Sequence, residues 1–268
     1  YIREVSSDLL GTHRMLHAHT RTGLGWEVGE RTLRDLRTLY QAAVRQVDAS
    51  VGRLLDSLAE NGLDDETAVV LAGDHGEEFQ DHGHLAHYPK LYDELIRVPF
   101  VVDVPGADGR RVDRQVGLDA IPPTVTDLLD IDAPAAWSGA TLAPTVADGA
   151  APPEDPVVSV TVRGESVTTQ PIPRSLDDGD LFVSVRDSEW TYIRNTDTGS
   201  EELYHRPSDP TQQTDLADDP NPEQRGVIES FAPIARSHAE RLRATDGTDA
   251  AADVDGDVGA RLDALGYK

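Results

Sequence analysis

The sequence predicts an α/β protein, a sheet with covering helices followed by a smaller antiparallel unit. Three observations carry that expectation. A long helical stripe precedes a short β-branched apolar run, a polar loop rich in His and acidic residues follows the run, and a second apolar run follows the loop. A sheet covered by helices produces that order of elements.

The helix comes first. From about Gly29, the residues Leu33, Leu36, Tyr40, Val44, Val47, Val51, Leu54 and Leu58 recur at spacings of three and four. They share one face, which is expected to be core. Asn61-Gly62 supplies a C-terminal stop. "TAVVLAG", Thr67 to Gly73, reads as a buried strand, and "VPFVVDV", Val98 to Val104, as a second. Residues 1 to 28, with Gly23 and Gly25 as breakers, read as polar and irregular.

Beyond "PGADG" a strand is expected around Val112 to Val116. Asp119 is then expected to cap a helix holding Pro122 and Pro123 in its first turn and running through Leu128 and Leu129. Residues 133 to 156, rich in Pro, Ala and Gly, read as a connecting segment. The chain then changes character, so a first region is expected over 1–150 and a second over 151–268. "PVVSVTV" reads as a strand, and "LFVSV" and "EWTYIR", joined by Arg186-Asp187-Ser188, as a hairpin. A helix is expected near residues 222 to 243 with a kink at Pro233, then an acidic mobile stretch, then a short helix in "ARLDALGYK".

Composition narrows the function classes. The 268 residues contain no cysteine, which excludes disulfides, thiolate metal sites and a cysteine nucleophile within this chain. The net charge is −25, and of 24 basic residues only Lys90 and Lys268 are lysines. Nucleic acid is an unsuitable partner, because phosphate binding depends on clustered positive charge. Abundant Asp and Glu with almost no Lys point to a salt-adapted archaeon, with a cytoplasmic location favoured. No apolar run reaches the length of a membrane span. Tyr1, in place of an initiator Met, reads as the later part of something longer.

The chemistry concentrates in "GDHGEEFQDHGHLAHYPKLYDELIRVPFVV", residues 73 to 102, which holds four of the nine histidines. Asp74 and His75 fall at the carboxyl end of a strand, where open α/β sheets place ligands. Where the chain turns, both can reach one cation: a carboxylate and an imidazole suit Mn or Zn, and Ca if other oxygens join. A capping Asp beside a solvated His is the alternative from position alone. His82, His84 and His87 do not follow helical zinc spacing and sit among loop residues. Lys90 could clamp an anion or face solvent.

Several ordered motifs resemble the sulfatase family of the alkaline-phosphatase superfamily, including its haloarchaeal members. They are "DETAVVLAGDHGEEF", "DHGHLAH", "KLYDELIRVPFVV" and "VGLDAIPPTVTDLLDI", preceded by "LYQAAVRQVDASVGRLLDSL" and followed by "WTYIRNTDTGSEELYHRPSDPTQQTDLADDP" and "RLDALGYK". The resemblance covers residues 36 to 268. It implies an alkaline-phosphatase-like mixed sheet flanked by helices, with a small C-terminal antiparallel sheet and helix. It also implies a hydrolase of small-molecule or carbohydrate sulfate esters that uses one divalent cation, calcium first, with Mn, Mg or Zn as alternatives.

Carried over residue by residue, the resemblance makes Asp74 and His75 the metal pair. The position that contacts the anion and assists the leaving group falls on His87, with Lys90 three residues later as the alternative. An imidazole can donate a proton near neutral pH. His82 and His84 are left as loop scaffold. The family's nucleophile motif, Cys or Ser followed by x-Pro-x-Arg, has no counterpart in residues 1 to 28. The chain therefore resembles the second half of a sulfatase, and a half sheet with an apolar edge would favour a homo-oligomer. Two other readings stand beside it. One is a phosphodiesterase, phosphonate monoester hydrolase or phosphoethanolamine transferase of the same superfamily, and the other is a non-catalytic remnant or interaction module.

Overall fold

A computed structural model describes residues 28–135, 137–164 and 176–246. Helix α1 spans Glu30–Glu60, and it stops as its sequence dictates. Gly62 takes φ 66°, a left-handed conformation that costs glycine little. There the Leu63 N–H reaches the Leu58 carbonyl and the Gly62 N–H the Ala59 carbonyl, each at 3.0 Å. This pair of bonds satisfies two carbonyls that the helix end would leave open.

Strand β1, Val69–Ala72, pairs antiparallel with β4, Phe100–Asp103, in the register Val69 to Asp103 and Ala72 to Phe100. Between them lie the two-residue strands β2, Glu78–Phe79, and β3, Leu85–Ala86, paired with each other, and the single-turn helix α2, Asp93–Ile96. Helix α3, Ile121–Leu128, follows a 3-10 turn at Leu118–Ala120, and α4 spans Ala143–Asp148.

The C-terminal unit is a four-stranded antiparallel meander of β5, Val157–Arg163, β6, Asp180–Arg186, β7, Trp190–Asn195, and β8, Glu201–His205. Helix α5, Pro222–Asp246, runs through Pro233. The period-2 alternation of the strands decides the packing. Leu181, Val183, Val185, Trp190, Tyr192 and Leu203 face α5 and meet Phe231, Ala232, Ala235 and Ala239. Phe182, Ile193 and Tyr204, on the other face, meet Leu91, with Tyr92 and Ile96 packed around them. The sheet is thus buried on both sides, one of them against the segment that follows β3.

Four expectations change. No strand forms at Val112 to Val116: the side chains there make tertiary contacts instead, Gln115 to the Arg186 carbonyl at 2.7 Å and Arg114 to Glu154 at 2.7 Å. Asp119 does not cap α3, which begins one residue later, with Ala120 at its N-cap and both prolines in its first turn. The connecting segment contains α4, capped by Gly149 at φ 79°. The stripe of α1 is not core. Leu33 and Leu36 pack near Val28, Leu85 and Phe79, yet Tyr40, Val44, Val47 and Leu54 remain 42 to 62% exposed.

The irregular N-terminal stretch apart from Val28, the acidic stretch and the final short helix lie outside the described residues. No described helix is long and apolar enough to cross a membrane.

Candidate functional site

Asp74 stands two residues beyond the end of β1, with Gly73 between. The chain turns here because it is pinned to α2: the Gly76 N–H donates to the Leu95 carbonyl at 2.7 Å and the Glu77 N–H to the Glu94 carbonyl at 3.0 Å. Only glycine fits at position 76, since a Cβ there would lie 1.9 Å from the Glu94 oxygen. The turn leaves Asp74 and His75 exposed on one edge, with His75 Nε2 3.8 Å from Asp74 Oδ2. The His75 backbone N–H, donating to Asp74 Oδ1 at 2.9 Å, holds the Asp74 carboxyl below the ordinary range, and the charge of the His75 ring adds to the effect.

The His75 ring has a defined tautomer. Its Nδ1 lies 2.9 Å from the Gly76 carbonyl, an acceptor, so Nδ1 carries a proton and Nε2 is the atom left to act as a ligand when the ring is neutral. His87 arrives from the far side of β3. Ala86 adopts φ 67°, a conformation uncommon outside glycine, where the chain passes from buried Leu85 to exposed His87. The His87 ring comes to 4.6 Å from the His75 ring, and its Nδ1 lies 3.5 Å from Glu77 Oε2.

Lys90 faces away from this edge. It is 7% exposed, and its ammonium donates to both oxygens of the fully buried Glu78, at 3.1 and 3.2 Å, and to the His82 carbonyl at 2.5 Å. Burial lowers its pKa, and the Glu78 carboxylate opposes that shift. Glu78 also accepts the backbone N–H groups of His82 and His84 at 2.9 and 2.8 Å. One buried acid thus ties together the loop between β2 and β3, with Lys90 as its counter-charge.

His82 links this loop to the C-terminal unit. Its Nδ1 meets Glu94 Oε1 at 2.5 Å, its Nε2 meets the Gln212 carbonyl at 2.9 Å, and its ring stacks on Tyr92 at 3.6 Å between centroids. Burial alone would lower its pKa, but the Glu94 hydrogen bond and the Gln212 carbonyl together raise it. His84 stacks on Tyr88, and burial lowers its pKa.

The structure therefore brings Asp74, His75 and His87 to one exposed edge and withdraws Lys90 from it. An anionic oxygen and a free imidazole nitrogen on that edge are donors a divalent cation accepts, so the residues present fit one. Glu77, which sequence reasoning passed over, joins the same edge. Its only sequence signal was an acid two places after His75 in "DHGE".

The family model for sulfatases matches residues 9–131. Over 231 residues the chain is 28% identical to a delta 4,5-hexuronate-2-O-sulfatase of Bacteroides thetaiotaomicron, covering 82% of this chain and 45% of that protein. A solved sulfatase-type structure from the same organism superposes with a TM-score of 0.69 at 22% identity, covering 88% of this chain and 49% of the other. A phosphonate monoester hydrolase from Silicibacter pomeroyi superposes at 0.66 and 22% identity, covering 85% and 44%. The chain has the alkaline-phosphatase-like fold of these neighbours and spans about half the length of the relatives it matches.

Proposed function

We infer that this chain, a sulfatase-family segment by the match over residues 9–131, supplies the cation-binding part of a sulfuric ester hydrolase. The observation that carries the reading is the convergence of Asp74, His75 and His87 beyond the end of β1.

In this reading Asp74 and His75 hold one divalent cation, calcium first, with Mn, Mg or Zn as alternatives. Such an ion polarises the sulfuryl group and favours an ionised nucleophile. His87 contacts the sulfuryl oxygens and passes a proton to the oxygen of the departing alcohol. Lys90, committed to Glu78, holds the loop rather than the anion. Gly76 and His82 act as positioning residues by keeping the loop against α2 and the C-terminal unit. The hexuronate sulfatase among the relatives supports a carbohydrate sulfate ester as the substrate class. A second reading, hydrolysis of a phosphonate monoester, is supported by the fold shared with the Silicibacter pomeroyi protein.

The test is turnover of an aryl sulfate, a 2-O-sulfated uronide and a phosphonate monoester by a domain that carries these residues together with a nucleophile. Asp74→Ala should abolish turnover and release bound metal, and His87→Ala should lower kcat by about 10² or more. Activity and metal surviving in Asp74→Ala would overturn the metal pair. An intact His87→Ala enzyme beside an inactive Lys90→Met one would move the anion contact to Lys90. Preference for the phosphonate would select the second reading.

A further inference from the structure

Two imidazoles and a carboxylate meet at the exposed edge in a way that the Asp74 and His75 pair does not require. Ligand-type atoms of His75, Glu77 and His87 all lie within 4.8 Å of one another. A zinc-like ion about 2.0–2.2 Å from each donor needs donors roughly 3–3.5 Å apart. The separation of His87 Nδ1 and Glu77 Oε2 is already 3.5 Å. Closing the rest falls to the His87 side chain, which is 63% exposed.

The other two donors sit on pinned backbone. Glu77 is fixed through its N–H to Glu94, and His75 lies beside Gly76, whose N–H is fixed to Leu95. His75 offers Nε2 because its Nδ1 proton is committed to the Gly76 carbonyl. That second interaction orients a ligating histidine and strengthens its basicity.

We propose that His75, Glu77 and His87 form a transition-metal site, a set of two histidines and one carboxylate. Borderline ions such as Zn²⁺ or Co²⁺ suit this donor set better than Ca²⁺, which takes oxygens. The site shares His75 with the pair proposed above and rests on that reading only in placing a cation at this loop. Binding here occupies His87, so the same imidazole cannot serve the ester while the ion is held. Asp74, whose Oδ2 lies 3.8 Å from His75 Nε2, borders the site without being required by it.

The test titrates Zn²⁺ into the full chain against a chromophoric chelator, with Co²⁺ visible spectra reading the donor set. Glu77→Gln and His87→Ala alter side chains at the exposed edge, and circular dichroism checks that both variants fold as the parent does. Each should weaken Zn²⁺ binding at least about tenfold and shift the Co²⁺ bands. Loss in both supports the site whatever Asp74→Asn does. Parent-like affinity in either variant overturns it, whether Zn²⁺ then rests on Asp74 and His75 or on scattered surface carboxylates. Asp74→Asn, assayed for ester turnover in the domain described above, reads the earlier proposal separately.

Discussion

Replacing His82 with alanine removes a contact that joins distant parts of the chain. The ring is bound on both nitrogens, to Glu94 and to the Gln212 carbonyl, and the His82 and Glu94 side chains are only 11 and 17% exposed. A hydrogen bond to a charged group contributes about 1.5–3 kcal/mol. Removing one partner of a largely buried pair costs about 3–5 kcal/mol, because the other charge is left unpaired. His82→Ala should therefore lower stability by roughly 3–5 kcal/mol and the melting temperature by on the order of 10 °C.

The pH dependence has a definite sign. The folded pKa of His82 is raised above its ordinary value of 6.5. Its contribution is then complete below the unfolded pKa and fades as pH rises through the folded one. Urea unfolding followed by tryptophan fluorescence, run on parent and variant from pH 6 to 9, gives the stability difference at each pH. That difference should be largest at pH 6 and narrow toward pH 9, with other titrating groups cancelling between the two proteins. A constant or widening gap would refute the argument that the imidazolium form is the bound one.

Two further predictions come from the same structure. Gly76→Ala should dislodge the Asp74 loop from α2, because its Cβ would lie 1.9 Å from the Glu94 oxygen. Hydrogen exchange of the backbone amides at positions 76 and 77 should accelerate, while protection in β6 and β7 stays unchanged. The exposed face of α1, with Val47 62% and Leu54 60% exposed, should drive self-association of the chain. In sedimentation experiments, Val47→Glu with Leu54→Glu should shift the chain toward monomer without loss of helix content, and an unchanged distribution would remove this face from any oligomer contact.

Much of the fold was legible because periodicity is local. The α1 stripe and its Asn61-Gly62 stop, the apolar runs of β1 and β4, the β6–β7 hairpin and α5 all announce themselves within a few residues. The failures share a different cause. Val112 to Val116 carry β-branched ends, yet Gln115 is committed to Arg186 and Arg206, partners 71 and 91 residues away. Nothing near Lys90 in the sequence says that its ammonium closes on a buried Glu78 rather than on an anion.

The site divides the same way. The strand end pointed to Asp74 and His75, and the order of motifs to His87, as the candidates. Glu77 became part of the picture only when the left-handed step at Ala86 brought His87 back toward it. The stripe of α1 shows the converse limit: an amphipathic pattern identifies an apolar face, not what covers it.

The bond between His82 and the Gln212 carbonyl spans 130 positions, which gives the loop a place in time as well as in space. During synthesis, Asp74 and His75 leave the ribosome long before Gln212 does, and local structure such as α1 can form at once. The tie that holds the loop on its downstream side must wait until the meander behind it has been made. The loop's tie to the C-terminal unit is thus closed later than its hold on α2, whose partners Glu94 and Leu95 lie close by in the sequence.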